Sequence, residues 1–167
     1  MEITRASDYA VRVMIHLAGL PPNSTMQRSH LSEATDVKEQ FLSKVLQRLV
    51  RAGLVRSQRG SGGGFGLAVP AGSVSLLEVV QAMEGPIRLN QCLQEKPSCQ
   101  RKSWCPAHRV WAQAQQALES VLGSASIAKL AAEALPGAET QYRQHTGTTE
   151  IAGASAKGAP FSRGRDR

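Results

Sequence analysis

The chain has 167 residues, of which 41% are hydrophobic and 20% charged, a composition typical of one ordinary globular domain with a real core. No apolar run approaches the roughly 18 residues needed to span a bilayer, and the first ten residues, MEITRASDYA, contain no apolar signal core. We therefore expect a cytoplasmic protein with no membrane partner, whose net charge of +7 and pI of about 9.8 favour a polyanionic partner.

The first half of the chain has helical periodicity. The pattern predicts a helix over about 5–20, with Ser7 and Asp8 near its start as capping residues. A short helix is predicted over 27–34 and a third over 38–52, where Gly53 ends it. Two short helices joined by a tight turn are typical of a helix-turn-helix, although an amphipathic helix of any small α-domain would fit this pattern equally well.

The third predicted helix carries a polar, basic face opposite its apolar residues. Its stripe consists of Gln40, Lys44, Gln47 and Arg51, and Ser43 lies beside it. Residues 38–59 contain six Lys or Arg residues and one acidic residue, a net charge of +5 that makes up most of the excess. This concentration favours DNA as the polyanion.

A glycine-rich segment follows directly. A strand beginning at 54–56, a glycine-rich tip and a returning strand near 65–68 predict a β-hairpin. A nucleotide-binding glycine loop would need a following helix and a Lys-Ser/Thr pair or a GxGxxG context, which the sequence lacks. We interpret the hairpin as a wing whose glycine amides and Arg59 contact phosphates or a groove. The predicted DNA-binding residues are Gln40, Ser43, Lys44, Gln47, Arg51, Ser57, Arg59, Ser61, Gly62 and Gly63.

All three cysteines lie in one polar window, residues 92–108, after a predicted helix over 73–83 that packs behind the third helix. Six residues separate Cys92 from Cys99, five separate Cys99 from Cys105, and His108 follows. We interpret the window as an exposed loop whose thiolates bind a metal, with an iron–sulfur cluster favoured over zinc because these gaps are wide for a zinc site. One disulfide with a spare thiol, or three buried small hydrophobic residues, are the alternatives.

The C-terminal part is predicted to contain a long helix over 106–122, ended by Gly123 and Ser124, then a short helix through Ile127 and Leu130. Positions 111, 114, 118 and 121 form an apolar stripe that fits either a core or a dimer seam. Residues 136–167 are poor in hydrophobic side chains and are predicted to be a disordered tail. The expected division is 1–85 for DNA binding, 86–135 for the cysteine loop and long helix, and 136–167 for the tail.

Four stretches resemble one bacterial family. They are SDYAVRVMIHLA, FLSKVLQRLVRAGLVRSQRGSGGGFGLA, LLEVVQAMEG and the cysteine window ending in CPAH. The chain is similar, over residues 1 to about 135, to winged-helix regulators that sense through an iron–sulfur cluster, of the IscR-like and NsrR-like kinds. The resemblance implies a mainly α fold, a winged helix-turn-helix with a small β-hairpin wing and a long C-terminal dimerisation helix. It also implies a homodimer on a partly palindromic duplex operator.

The same resemblance implies the cluster ligands. Cys92, Cys99 and Cys105 match the three thiolate ligands of the family, while the fourth is either His108, as in IscR-like members, or Asp8 of the partner subunit, as in some NsrR-like members. A [2Fe–2S] cluster is favoured over [4Fe–4S], and both fourth ligands stay open. The first gap of six residues departs from the five of typical IscR-like loops.

These observations predict a homodimeric transcriptional repressor whose operator binding depends on an iron–sulfur cluster that senses redox, nitric oxide or iron–sulfur status. A cluster-free, thiol-based regulator of the same fold is the first alternative, and a small iron–sulfur electron carrier is the second. An enzyme is not expected, because no Ser/His/Asp set or carboxylate pair is arranged for catalysis.

Overall fold

The computed structural model describes residues 3–60, 63–94 and 99–134. They form a mainly α-helical fold with one antiparallel β-hairpin, in agreement with the sequence-based prediction. The predicted tail at 136–167 lies outside the described residues, and so do Ser61, Gly62 and residues 95–98 of the cysteine window. The elements are α1 (Arg5–Ala18), α2 (Arg28–Thr35), α3 (Glu39–Arg51), β1 (Val55–Gln58), β2 (Gly64–Leu67), α4 (Leu76–Glu84), α5 (Pro106–Ser124) and α6 (Ile127–Ala134), with short 3-10 turns at Ala71–Ser73 and Gln91–Leu93.

Helix α1 forms the centre of the hydrophobic core. Ala10, Val13, Met14 and Leu17 are 0–3% exposed, and α1 packs against α2, α3, α4 and α6. Since these residues are spaced three and four apart, they form one continuous apolar face on the helix. The core is therefore organised around the helix whose first turn carries Ser7 and Asp8.

The expected capping of α1 by Ser7 and Asp8 is wrong. Thr4 precedes the helix without a side-chain capping bond. Ser7 is fully buried and its hydroxyl donates instead to the Glu84 carboxylate at the end of α4. Asp8 forms an ion pair with Arg12. Sequence position alone predicted a local role for Ser7, whereas the packing of α1 on α4 offers its hydroxyl a stronger, charged acceptor.

Helices α2 and α3 form the helix-turn-helix. The turn between them uses Asp36 in the left-handed conformation, with φ of 52°, which aspartate tolerates better than most residues. Helix α3 buries Leu42, Val45, Leu46 and Leu49 on its inner face. It stops before Gly53, whose φ of 73° suits a glycine after a helix end.

The hairpin pairs Val55 with Leu67 and Gln58 with Gly64. Backbone hydrogen bonds of 2.9 Å in both directions join Phe65 to Met26, so a single β-bridge connects the α1–α2 connection to the hairpin. A Cβ at Gly64 would overlap the Met26 carbonyl oxygen, and one at Gly66 would overlap that of Ser24. The glycines of β2 therefore allow this close approach between backbones.

The C-terminal helices have different surroundings. Helix α6 returns to the core: Ile127 is fully buried, and its N–H donates to the Val74 carbonyl at 2.8 Å. Helix α5 has no buried residue. It continues through Gly123 and Ser124, contrary to prediction, because a single glycine costs a helix only about 1 kcal/mol and the Ser124 hydroxyl donates to the Val121 carbonyl at 2.8 Å. Within the described ranges, no helix combines the length and apolar character that crossing a bilayer requires.

Candidate functional site

Helix α3 presents the polar stripe predicted from sequence. Gln40, Lys44, Gln47 and Arg51 are all exposed, on the side opposite the buried leucines and valine. Phe41 is apolar but 46% exposed, and its ring contacts that of Tyr9 with centroids 6.4 Å apart. The stripe thus leaves two amides and two cations available to a ligand that lies along the helix.

The N-terminal part of α3 carries a polar cluster, of which the sequence pattern predicted Ser43 but not Arg28. The Ser43 hydroxyl donates to the Glu39 carbonyl at 2.9 Å. Arg28, the first residue of α2, donates from Nε to Oε2 of Glu39 at 3.0 Å and from Nη1 to Oγ of Ser43 at 3.4 Å. Arg28 could have been identified from its position, because it is a lone cation at the start of α2, the helix that precedes the basic helix α3.

The predicted wing residues follow α3 in the sequence; Ser57 and Arg59 are exposed, and Gly63 is half-buried. Ser57 lies in β1 opposite Phe65, and Arg59 follows the strand. The Gly63 N–H donates to the Gly60 carbonyl at 2.9 Å, which closes the tip of the hairpin. Ser61 and Gly62, the other two predicted contacts of the tip, fall outside the described residues.

Two of the six cations in residues 38–59 are used inside the fold. Arg48 donates to the Met83 carbonyl at 2.6 Å. Arg56 donates to the backbone carbonyls of Leu67, Asn23 and Ser24, the last at 3.2 Å, and so ties the hairpin to the α1–α2 connection. The remaining exposed cations are Lys38, Lys44, Arg51 and Arg59. The basic surface is therefore smaller than the sequence count indicated.

The cysteine window contains three free thiols. Cys92 lies in the 3-10 turn Gln91–Leu93 and is only 8% exposed, which corrects the expectation of a wholly exposed loop. Cys99 and Cys105 are half-buried. The Nδ1 atom of His108 lies 3.4 Å from Sγ of Cys92, so the first and last residues of the window are in contact.

Local structure explains how His108 reaches Cys92. Cys105 precedes α5, Pro106 occupies its first turn, and the His108 N–H donates to the Cys105 carbonyl at 3.1 Å. Proline at this position favours a helix start because its missing N–H would be unpaired anyway. The Cys105 N–H donates to the Arg101 carbonyl at 2.8 Å, which folds residues 101–105 into a turn. His108 is thereby held on the first turn of α5.

The predicted ligands are brought together only in part. Across the described segments, no group of three or more His, Cys, Asp or Glu side chains is close enough to hold a metal ion. The link between Cys92 and Cys99, residues 95–98, is not among those segments. Asp8, the alternative fourth ligand, lies 2.8 Å from Arg12, and both side chains are about half exposed.

The end of α4 connects the two candidate sites. Glu84 accepts hydrogen bonds from the hydroxyls of Ser7 and Thr4 in and before α1, and these bonds lower the pKa of its carboxyl group. The neighbouring Met83 carbonyl accepts from Arg48 of α3. Residues 85–91, including the buried Ile87, then lead directly to Cys92. One short segment thus touches α1, α3 and the cysteine window.

Helix α5 exposes large apolar side chains. Val110, Trp111 and Val121 are 63%, 42% and 66% exposed, and Trp111 and Val121 belong to the predicted stripe. The described part of the chain therefore leaves this stripe largely uncovered.

Comparisons with known proteins agree with this architecture. Residues 3–133 match the family model of Rrf2, an iron-dependent transcriptional regulator. The HTH-type transcriptional regulator IscR of Xenorhabdus nematophila is 32% identical over 130 residues, which are 78% of this chain and 79% of that relative. Such relatives are transcriptional regulators rather than enzymes.

Solved structures support the fold. CymR of B. subtilis, a global cysteine regulator, has a TM-score of 0.65 at 24% identity and covers 80% of this chain and 98% of its own. IscR of T. potens has the same TM-score at 22% identity, over 81% of this chain and 90% of its own. The resemblance seen in the sequence is confirmed at the level of the family, and the family model covers nearly all the described residues. The chain belongs to the Rrf2 family of transcriptional regulators.

Proposed function

We propose that the protein is a homodimeric DNA-binding repressor whose operator affinity is controlled by an iron–sulfur cluster bound in the cysteine window. The observation that carries the proposal is the contact between Cys92 and His108, 3.4 Å apart, at the end of the segment that follows α4. Thiolate sulfur and imidazole nitrogen both bind iron in such clusters. Cys92 lies on the segment that follows α4, and α4 packs against α3 of the helix-turn-helix.

The donor set fits the cluster chemically. Cys92, Cys99 and Cys105 are free thiols, and His108 supplies a fourth donor next to Cys92. Asp8 of the partner subunit is the competing fourth ligand, but its carboxylate would first have to leave Arg12. We therefore favour His108. When bound, the cluster would supply iron that oxidants, nitric oxide or iron shortage can remove or change.

Coupling to DNA would run through the end of α4. Residues 85–91 join Cys92 to Glu84, which is bonded to Ser7, while Met83 is bonded to Arg48 of α3. A change in the position of Cys92 would therefore be resisted by hydrogen bonds to both α1 and α3. A tenfold change in operator affinity requires only about 1.4 kcal/mol of coupling free energy, which is comparable to one such bond.

The DNA-reading role is assigned to the exposed face of α3 and to the wing. Gln40, Ser43 and Lys44 lie in the N-terminal half of α3, the part of a recognition helix that contacts base edges. Gln47 and Arg51 continue the same stripe toward the phosphates. Ser57, Arg59 and the tip glycines would contact the backbone or the minor groove.

The homodimer would form along α5. A two-fold axis would bring the same apolar stripe of each subunit together and cover Trp111 and Val121. Two recognition helices related by that axis imply a partly palindromic operator, because half-sites mirror the symmetry of the protein.

A thiol-based regulator without a cluster is the second candidate. It is favoured by one observation: within the described residues, three ligands do not gather around one point. Anaerobic purification followed by absorption spectroscopy and native mass spectrometry separates the two. We expect visible-region absorption and a mass increment of a [2Fe–2S] cluster on each subunit. Colourless protein of bare polypeptide mass, even after reconstitution with iron and sulfide, would favour the thiol-based regulator.

A further inference from the structure

The side chain of Arg28 lies across the first turn of α3. Its Nε donates to the Glu39 carboxylate at 3.0 Å and its Nη1 to the Ser43 hydroxyl at 3.4 Å. Arg28 belongs to α2, whereas both acceptors belong to the recognition helix. The guanidinium group is therefore held beside the part of α3 that would face base edges.

Stability is a poor explanation for this arrangement. The side chains of Arg28 and Glu39 are 52% and 49% exposed, and ion pairs this open contribute little to folding. Glu39 also brings a negative charge to a surface that must approach phosphates. Arg28 neutralises that charge, and guanidinium carries five N–H donors, so donors remain for a further acceptor.

We propose that Arg28 is a specificity-determining residue that donates to a guanine in the major groove, and that Glu39 is the positioning residue that orients its guanidinium. Arginine pairs with O6 and N7 of guanine through two parallel hydrogen bonds, and this geometry needs a pre-oriented planar fork. The inference rests on the proposed DNA-binding function and adds a reader from outside the recognition helix. It predicts one guanine per half-site that depends on Arg28.

Binding selection from a duplex library with a randomised centre tests the inference, using the full-length protein purified anaerobically. Arg28→Ala should lose one guanine preference in each half-site and should bind the wild-type consensus roughly tenfold more weakly. Arg28→Lys keeps the charge but loses the fork, so it should retain its affinity for random duplex and lose the same preference. Glu39→Gln should bind random duplex more tightly and show a weakened guanine preference.

Lys129→Ala in α6 is the control, since it removes one exposed cation from outside the helix-turn-helix and the wing. It should leave the selected consensus unchanged. If Arg28→Ala keeps the wild-type consensus and loses affinity equally on all sequences, Arg28 contacts phosphate and the inference is overturned while DNA binding stands. If the wild-type protein selects no sequence at all, both the proposed function and the inferred role of Arg28 are contradicted.

Discussion

At the residue scale, the proposed mechanism depends on the contact between Cys92 and His108. The resemblance implied that both could bind one cluster, and they lie 3.4 Å apart although sixteen positions separate them in the sequence. The spacing of the cysteines predicted a metal site, but it gave no information on which side chains meet. Burial of Cys92 also escaped prediction, because most of its neighbours in sequence are polar, whereas in the fold the 3-10 turn that carries it packs against α5.

Cys92→Ser should abolish the visible absorption of anaerobically purified protein, because a hydroxyl is a far weaker ligand for cluster iron than a thiolate. Absorption spectroscopy with iron and sulfide analysis measures the effect. Ser103→Ala, an exposed change in the same window, is the matched control and should keep the full spectrum. Undiminished absorption in Cys92→Ser would exclude Cys92 as a ligand.

His108→Ala and Asp8→Asn together identify the fourth ligand. Since His108 already contacts Cys92 while Asp8 is paired with Arg12, we expect His108→Ala to shift the absorption bands and shorten the lifetime of the cluster in air severalfold. Asp8→Asn should retain the wild-type spectrum and lifetime. The reverse pattern would assign the site to Asp8 of the partner subunit.

At the scale of single elements, helix faces were predictable and long-range partners were not. The exposed stripe of α3 follows from its 3.6-residue period, so Gln40, Lys44 and Gln47 were located correctly. Arg48 and Arg56 contribute to the basic count of residues 38–59, but they bind backbone carbonyls of other elements. Counting charges locates the cations in the sequence, but the partner of each cation depends on how the elements pack.

The wing should be sensitive to a methyl group at Gly66. A Cβ there would overlap the Ser24 carbonyl oxygen, so Gly66→Ala should lower the free energy of unfolding by about 2–3 kcal/mol. Chemical denaturation measures the change. Gly72→Ala is the matched control, because its Cβ would meet only the Ala128 side chain, at an ordinary 4.0 Å. Equal stability of the two variants would contradict the close packing of β2 on the α1–α2 connection.

The tie between α4 and α1 should show a specific pH dependence. The hydroxyls of Ser7 and Thr4 lower the pKa of Glu84 below its ordinary 4.5 in the folded protein. This contribution to stability is therefore present above about pH 4.5, the value in the unfolded chain, and is lost as the pH falls through the lowered value. Glu84→Gln should be less stable than the wild type near neutral pH.

The stability difference between wild type and Glu84→Gln should shrink as the pH falls below about 4.5, because the wild-type carboxylate is then protonated as well. Denaturation of cluster-free protein across this range measures it. Glu133→Gln, an exposed carboxylate on α6, serves as the control and should give a difference near zero at every pH. A stability difference between wild type and Glu84→Gln that does not change with pH would show that the negative charge of Glu84 does not contribute to its hydrogen bonds with Ser7 and Thr4.

At the scale of the whole molecule, α5 is the element on which the proposed dimer depends. Its apolar stripe could be predicted from the sequence, but its exposure could not, because only the packing shows that the described elements leave Trp111 and Val121 uncovered. Helix α6 returns to α1 instead and contributes Ile127 to the core. Helix α5 therefore contributes no buried residue to the hydrophobic core, which the other elements form.

Val121→Glu should convert the proposed dimer to a monomer, because it would bury a charge at the seam. Operator binding should weaken at least about tenfold, because each subunit would then bind its half-site alone. Sedimentation analysis and titration of the operator measure the two effects. Gln116→Glu adds the same charge at an exposed polar position of α5, on the side opposite the apolar stripe, and should stay dimeric. A dimeric Val121→Glu protein would place the interface elsewhere.

The proposed function requires that the state of the cysteine window is transmitted to the DNA-reading surface. The decisive measurement is the operator affinity of one anaerobic preparation before and after its cluster is removed, at the same salt concentration, since salt alone changes such affinities strongly. We predict at least a tenfold difference, or about 1.4 kcal/mol, which disappears in Cys92→Ser protein. Equal affinity of the cluster-bound and cluster-free forms would contradict this transmission.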